Sequence, residues 1–509
     1  MDLRGLTRGR DPVTRRGGFT EGALAWVLPA VVIAGALAVL FSAFLALAFD
    51  WEIFVGESLN SFFADRLIQE GVLYKDWGQL TPHFPIYPPG FYVLGAPLQV
   101  LDHSAIWQGR VLSLLGFALA AVGAWKIARR FGCTVPEALA SSLIFPLVSV
   151  TGLLVAVARP DGIGLGLIGC ALWAATRWED TRARNDLLAA AAMVGALVLV
   201  KYNFAPVGLG IAVAIFLRDR RAGVVFGAVS AGIVVVALVI AQLASGGAFL
   251  SNTSDFSVGY SLNGLSAVLR DLVLPAPSIV IVVAAVEVAT ALSYRTLPRA
   301  AHLAWIGGLL VVVSAVKVGA SSNYVAPLAL LSSVLIGPAL MRLRIGSSVR
   351  VAAAGSLALA LMLLPGVIDR LQKLPNTRTS LSEAADVNEE AASRLARAPG
   401  MVFGDRNDLM IAAGKGPAFD NLPMTILAQS GAWDTGALVE QIEAGRLGMI
   451  QTGFDVTGRA PRGLSGDPTW PPEIIEAVRL SYCETWQASA PASTGSGLWL
   501  YEPCGADGA

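Results

Sequence analysis

Residues 23–57 read ALAWVLPAVVIAGALAVLFSAFLALAF and then DWEIFVGE. The run Ala23–Phe49 carries no charge and exceeds the roughly 20 residues that cross a bilayer as a helix. Arg15 and Arg16 precede it, and Ala46-Leu47-Ala48 is similar to a signal cleavage site. Its apolar length is nevertheless well beyond the 7–15 residues of a signal core, so it reads as a membrane span. Three carboxylates, Asp50, Glu52 and Glu57, then crowd the mouth of that span. Charge there is costly unless it is solvated, paired or functional. The chain continues SLNSFFADRLIQEGVLYKDWGQLTPHFPIYPPGFYVLGAP to Pro97, an amphipathic segment followed by a Tyr-Pro-Pro turn.

The rest of the chain agrees with this reading. Of 509 residues 55% are hydrophobic and 15% charged, and mean hydropathy is +0.62. Soluble domains carry about 25% charged residues. The net charge is formally zero, which gives no case for a nucleic-acid partner, and the 3 His and 4 Cys show no zinc-type spacing. Further spans are expected at 105–128, 137–157, 162–177, 186–200, 203–217, 222–243, 278–294, 302–316, 324–341 and 351–367, about eleven in all. The 186–217 region also reads as a re-entrant pair.

Arginines set the orientation. Arg4, Arg8, Arg10, Arg15 and Arg16 precede the first span. Alternate loops carry Arg129 and Arg130, Arg177, Arg182 and Arg184, Arg218, Arg220 and Arg221, Arg295 and Arg299, and Arg342, Arg344 and Arg350. The positive-inside rule places them in the cytoplasm. The first loop (50–104), the loop 245–277 and the C-terminal tail then face outward. Asp50, Glu52, Glu57, Arg159, Asp161, Lys201 and Lys317 all fall at outer helix ends, which suggests one polar cavity opening outward. Taken singly, each also reads as an interfacial residue that snorkels.

Residues 1–367 form the expected membrane domain. Residues 368–509 are polar and rich in Gly and Pro. A helix is expected over 380–398, opened by a Ser380–Glu383 capping box. Strand-like runs at 401–405, 447–453 and 497–503 alternate with helical stretches at 422–431, 435–445 and 472–487, which predicts a small α/β domain. Cys483 and Cys504 both lie in it and can bridge in an oxidising compartment or remain free thiols. The expected fold is a polytopic α-helical membrane protein with this small α/β domain outside the membrane.

An outward cavity holding carboxylates and cations suits glycosyl transfer from a polyprenyl-phosphate sugar. A carboxylate deprotonates the acceptor hydroxyl, and Arg and Lys hold the departing phosphate. Direct displacement inverts the anomeric centre and needs one base. The segments Gly56-Glu57-Ser58, Arg66-Leu67, Gly71-x-x-Tyr74, Tyr87-Pro88-Pro89-Gly90-Phe91-Tyr92, Arg159-Pro160-Asp161-Gly162, Leu199-Val200-Lys201-Tyr202 and Lys317 to Tyr324 occur in that order. Asp405, Ala412-Ala413-Gly414-Lys415 and Gly431-Ala432-Trp433-Asp434 follow. Together they resemble the GT-C class of integral membrane glycosyltransferases. The similarity lies near the protein O-mannosyltransferase-like and aminoarabinose-transferase-like branches, bacterial family 39-type.

The resemblance implies a catalytic Asp at the start of the first loop, commonly as Asp-Glu. Here that dipeptide is split as Asp50-Trp51-Glu52, so the base stays open between Asp50 by position and Glu57 by local motif, with Glu52 beside them. Arg159, Lys201 and Lys317 are candidates for the donor phosphate. Tyr87, His83, Asp161, Asn323 and Tyr324 are candidates for sugar or acceptor, and Trp77 for stacking on a sugar ring. The plainer readings are an Arg159–Asp161 pair, a helix cap at Asn323, an interfacial belt for the aromatics and a surface position for His83. Asp50 and Glu52 can hold Mg²⁺ or Mn²⁺, and base catalysis without metal accounts for them equally. The expected partners are a polyprenyl-phosphate-linked sugar and a lipid or cell-envelope glycan acceptor. The expected location is the bacterial inner membrane, with the N-terminus cytoplasmic. A transporter or flippase for lipid-linked sugars, a scaffold, and a ligase or polymerase using a diphosphate-linked donor are the alternatives.

Overall fold

The computed structural model describes residues 23–76, 80, 81, 83–101, 106–148, 151–255, 259, 260, 262–293, 299–318, 320–346, 349–458, 469–488 and 497–505. Trp77, Arg295 and the five arginines before residue 17 lie outside them. The membrane part is a bundle of helices: α1 Val27–Leu47, α2 Glu57–Glu70, α3 Pro89–Gln99, α4 Trp107–Arg130, α5 Val135–Leu143, α6 Thr151–Leu154, α7 Pro160–Thr181 and α8 Arg184–Val200. These are followed by α9 Ala205–Arg218, α10 Arg220–Ala244, α11 Ala248–Asp255, α12 Leu262–Leu272, α13 Pro275–Ser293, α14 Ala300–Val313, α15 Ala326–Gly346 and α16 Val349–Arg397. Among the described residues, 5 helices are long and apolar enough to cross a membrane, and three shorter apolar helices accompany them. The protein is a multi-pass membrane protein.

Proline explains where the helices depart from the apolar pattern. The run 137–157 is no single helix. α5 opens with a capping box between Thr134 and Glu137, and the chain then breaks into a 3-10 turn, Phe145–Leu147, before α6. Pro146 lacks the N–H that an uninterrupted helix needs there. The region 186–217 forms two helices joined by the 3-10 turn Tyr202–Phe204. Conversely, α16 runs without interruption for 49 residues through Pro365 and Pro375. Ser380 is therefore inside a helix, not at the start of one.

Small residues let α4 and α7 approach closely. A Cβ on Gly116 would lie 2.1 Å from the Gly162 carbonyl oxygen, and one on Gly123 would lie 2.7 Å from the backbone of Gly169. Close crossings built on small residues are the usual means of helix association in lipid. At one end of the bundle, arginines from separate loops share carboxylates. Arg130 and Arg299 both pair with Asp180 (2.6 and 3.4 Å), Arg218 with Glu179 (3.4 Å) and Arg344 with Glu137 (2.9 Å). The opposite end carries Asp50, Arg159, Lys201 and Lys317.

The C-terminal unit stands on the end of α16. It comprises β1 Val402–Gly404, α17 Asn407–Ala412, α18 Asn421–Ser430, α19 Gly436–Glu443, β2 Met449–Thr452, α20 Pro472–Ser481, β3 Tyr482–Ala488 and β4 Leu498–Pro503. The sheet order is β1-β2-β4-β3, with β1 parallel to β2 and the other pairs antiparallel. The helix expected over 472–487 ends at Ser481. Residues 482–488, with Tyr, Thr and Trp suited to a pleated surface, pair with β4 instead. Cys483 and Cys504 are bonded, their Cα atoms 5.0 Å apart, which fastens β3 to the end of β4. The unit's core, around Phe403, Phe419 and Trp470, also takes in Phe84 of the first loop, with Trp51, Leu80 and Ile86 packed against it.

Candidate functional site

The first loop is built around a buried ion pair. Gly56 adopts a left-handed conformation (φ 85°) that ends the loop and starts α2, placing Glu57 in its first turn. Glu57 is fully buried. Its Oε1 accepts from Arg110 Nε (3.0 Å) and the Ala158 N–H (2.6 Å). Its Oε2 accepts from Arg110 Nη2 (3.0 Å) and the N–H groups of Ile53 (2.7 Å) and Phe54 (3.0 Å). Arg110 also donates to the carbonyls of Ala46, Phe49 and Trp51. Asp50 thus lies between two carbonyls tied to one guanidinium. Its own side chain is exposed and makes no hydrogen bond or ion pair among the described residues.

Glu52 is buried and faces the C-terminal unit. Its Oε1 accepts from the Ser58 N–H (2.8 Å) and hydroxyl (2.5 Å), while its own N–H donates to Asp408 Oδ2 (3.0 Å). Asp408 is gripped by Arg406, with Nε to Oδ1 at 2.9 Å and Nη2 to Oδ2 at 2.7 Å. Burial pushes the Glu52 carboxyl up to about 8, and the neighbouring Asp408 charge adds to this. Burial also opposes the charge on Asp408, but the Arg406 guanidinium and its hydrogen bonds outweigh it and hold Asp408 below its ordinary range. Among the described residues no three His, Cys, Asp or Glu side chains converge to hold a metal ion.

The cations gather around the starts of α7 and α9. Arg159, the residue before α7, donates through Nη2 to the Tyr87 hydroxyl (2.8 Å) and lies 4.7 Å over the Phe54 ring. Its Nε is 3.9 Å from Asp161 Oδ2. Asp161 is fully buried, and its Oδ1 accepts from Lys201 Nζ and from Asn323 Nδ2 (3.1 Å). Lys317 Nζ donates to the Tyr202 hydroxyl, and Asn203 Nδ2 to the Tyr324 hydroxyl. A cavity of about 370 Å³ opens beside them. Ile86, Val198, Leu199, Val234, Leu238 and Phe249 give it apolar walls, and Tyr87, Tyr202 and Lys317 contribute polar groups.

The structure thus brings Tyr87, Arg159, Asp161, Lys201 and Asn323 into one contact network. Lys317 joins it along the cavity wall beside Tyr87, while Tyr324 is bonded to Asn203. His83 stands apart. Its Nδ1 is 2.9 Å from the Thr81 carbonyl, its ring packs edge-on to Phe62, and burial pushes it below its ordinary range. Sequence reasoning missed Arg110, Arg406, Asp408 and Asp420. Asp420, from the C-terminal unit, is half-buried. Burial pushes its carboxyl up to about 7 against the opposing pull of Arg159. A polar residue near the start of an apolar span was the one available signal for Arg110.

A family model described as dolichyl-phosphate-mannose-protein mannosyltransferase matches residues 85–244. The crystal structure of ArnT from Cupriavidus metallidurans in the apo state is similar at 16% identity. That match covers 94% of this chain and 98% of that one, with a TM-score of 0.57. ArnT bound to undecaprenyl phosphate is similar at 16% identity over 92% and 97%, also with a TM-score of 0.57. The S. cerevisiae Pmt1–Pmt2 complex bound to the sugar donor matches at 17% identity over 48% and 38%, with a TM-score of 0.31. No curated protein matches the sequence. The fold is of the GT-C type, and residues 85–244 match the mannosyltransferase family model.

Proposed function

We propose that this GT-C membrane glycosyltransferase moves a sugar from a polyprenyl-phosphate donor to a hydroxyl of a lipid or envelope glycan, on the outer face of a bacterial inner membrane. The observation that carries this reading is the network of Tyr87, Arg159, Asp161, Lys201 and Asn323, with Tyr87 and Lys317 lining an apolar cavity beside it, while Asp50 is exposed and without a partner among the described residues. The undecaprenyl phosphate held by the similar ArnT supports the donor class. The arginine-rich end of the bundle supports an inward N-terminus and an outward site.

Asp50 takes the proton of the acceptor hydroxyl. The oxygen attacks C1 of the sugar from the side opposite the phosphate. The C1–O bond breaks, the phosphate leaves with the electron pair, and the anomeric centre inverts. Arg159 and Lys317 hold the growing phosphate charge. Lys201 belongs to the same group, held in place by Asp161, which Asn323 orients in turn. Glu57 has every oxygen engaged by donors, so its role is to frame the loop. Tyr87, Asp161, Asn323 and Tyr324 shape the sugar pocket. Mg²⁺ or Mn²⁺, if used, would meet Asp50, since the Glu52 carboxyl is engaged by Ser58.

The test is transfer of radiolabelled sugar from a panel of polyprenyl-phosphate donors by purified protein. Asp50→Asn should lower kcat roughly 100-fold or more with folding intact. Arg159→Gln should raise the donor KM. An Asp50→Asn enzyme that works at the wild-type rate would remove Asp50 as the base.

A further inference from the structure

We propose that Arg406 and Asp408 of the C-terminal unit are positioning residues that fix the backbone carrying Asp50; the proposal rests on the glycosyltransferase reading above. The loop has two anchors. From the membrane side, Arg110, locked to Glu57, holds the carbonyls of Phe49 and Trp51. From the other side, Asp408 accepts the Glu52 N–H at 3.0 Å, and the Trp51 side chain packs against the C-terminal core. Asp408 is itself immobilised by the two-pronged grip of Arg406. Arg406 also donates to Asn388 Oδ1 on α16 (3.3 Å), and its N–H is held by Gln451 Oε1 of β2 (2.8 Å).

Asp408 and Arg406 are 4% and 7% exposed, so this contact is a built interface. Within the first loop Ser58 holds the Glu52 side chain, and it is Asp408 of the C-terminal unit that takes the Glu52 N–H. Asp50 is exposed and has no partner among the described residues, so its aim depends on how firmly its neighbours are fixed. A shift of about 1 Å in a reacting group can cost roughly 100-fold in rate. The C-terminal unit is therefore part of the catalytic apparatus without touching the reacting atoms.

Asp408→Ala and Asp408→Asn test this in the full-length protein in detergent. Two readouts are taken: the kcat and donor KM of sugar transfer, and amide hydrogen exchange of the peptide holding Glu52. Asp408→Ala should speed exchange at Glu52 at least ~10-fold and lower kcat on the order of 10- to 100-fold, with the donor KM within about two-fold. Asp408→Asn keeps an acceptor oxygen for the Glu52 N–H and should recover part of both; it carries the test if the alanine variant does not fold. Unchanged exchange, or faster exchange with wild-type kcat, would overturn the proposal. Hydrogen exchange needs no turnover. A wild-type protein inactive on every donor, with exchange still responsive to Asp408, would sink the glycosyltransferase reading and leave the anchor standing.

Discussion

At the residue scale, the first loop shows why carboxylates close together in sequence have different roles. Glu57 is fully buried and sits in a two-pronged pair with Arg110. Removing one partner of such a pair strands the other charge and costs about 3–5 kcal/mol. Glu57→Gln and Arg110→Met should each lower thermal stability by roughly that amount in a detergent melt, and Asp50→Asn should leave it unchanged. Glu52 gives a pH signature. Folding raises its carboxyl from 4.5 to about 8, so the folded protein holds that proton more tightly. The stabilisation is full below about 4.5 and is lost as pH rises toward about 8. Melting temperature should therefore fall across that window, and Glu52→Gln, which mimics the protonated form and keeps an oxygen for Ser58, should flatten the decline. The carboxylates and cations of this site were legible in the sequence because charge at the end of an apolar run is conspicuous. Their partners were not. Arg110 reaches Glu57 across 53 residues of chain, and Asp408 reaches Glu52 across 356, distances that no local pattern encodes.

At the element scale, the crossing of α4 and α7 sets the geometry of the site. Arg110 lies at the start of α4, and Arg159 and Asp161 at the start of α7, so the closeness of the two helices fixes their spacing. Ser113 reinforces it by donating to the carbonyls of Val157 (2.6 Å) and Arg159 (3.1 Å). Gly116→Leu would drive the helices apart and should cost about 1–3 kcal/mol, with reduced transfer. Gly227→Ala, where nothing lies within 4 Å, should leave the melting temperature unchanged. Helices were legible wherever an apolar run was uninterrupted. They were misread where Pro146 broke a run and where α16 continued through Pro365 and Pro375, because a proline's missing N–H breaks one helix and is tolerated in another. The strand at 482–488 was misread for a similar reason, since its partner strand and disulfide lie across the sheet.

At the scale of the whole molecule, composition alone announced a membrane protein, and the ordered motifs announced its class. The seating of the C-terminal unit on the first loop was not legible, because it depends on the length and direction of α16. A helix of 49 residues is about 74 Å long, while a bilayer core takes up about 30 Å. Much of α16 therefore reaches beyond the length a bilayer core takes up. If Pro375 is the pivot, the 22 residues beyond it form an arm of about 33 Å, and a swing of about 10° displaces its tip by about 6 Å. That is twice the length of the bond between Glu52 and Asp408, so a swing of that size would disengage the two. The loop under Asp50 would then slacken as that bond breaks, and tighten again only when the arm swings back.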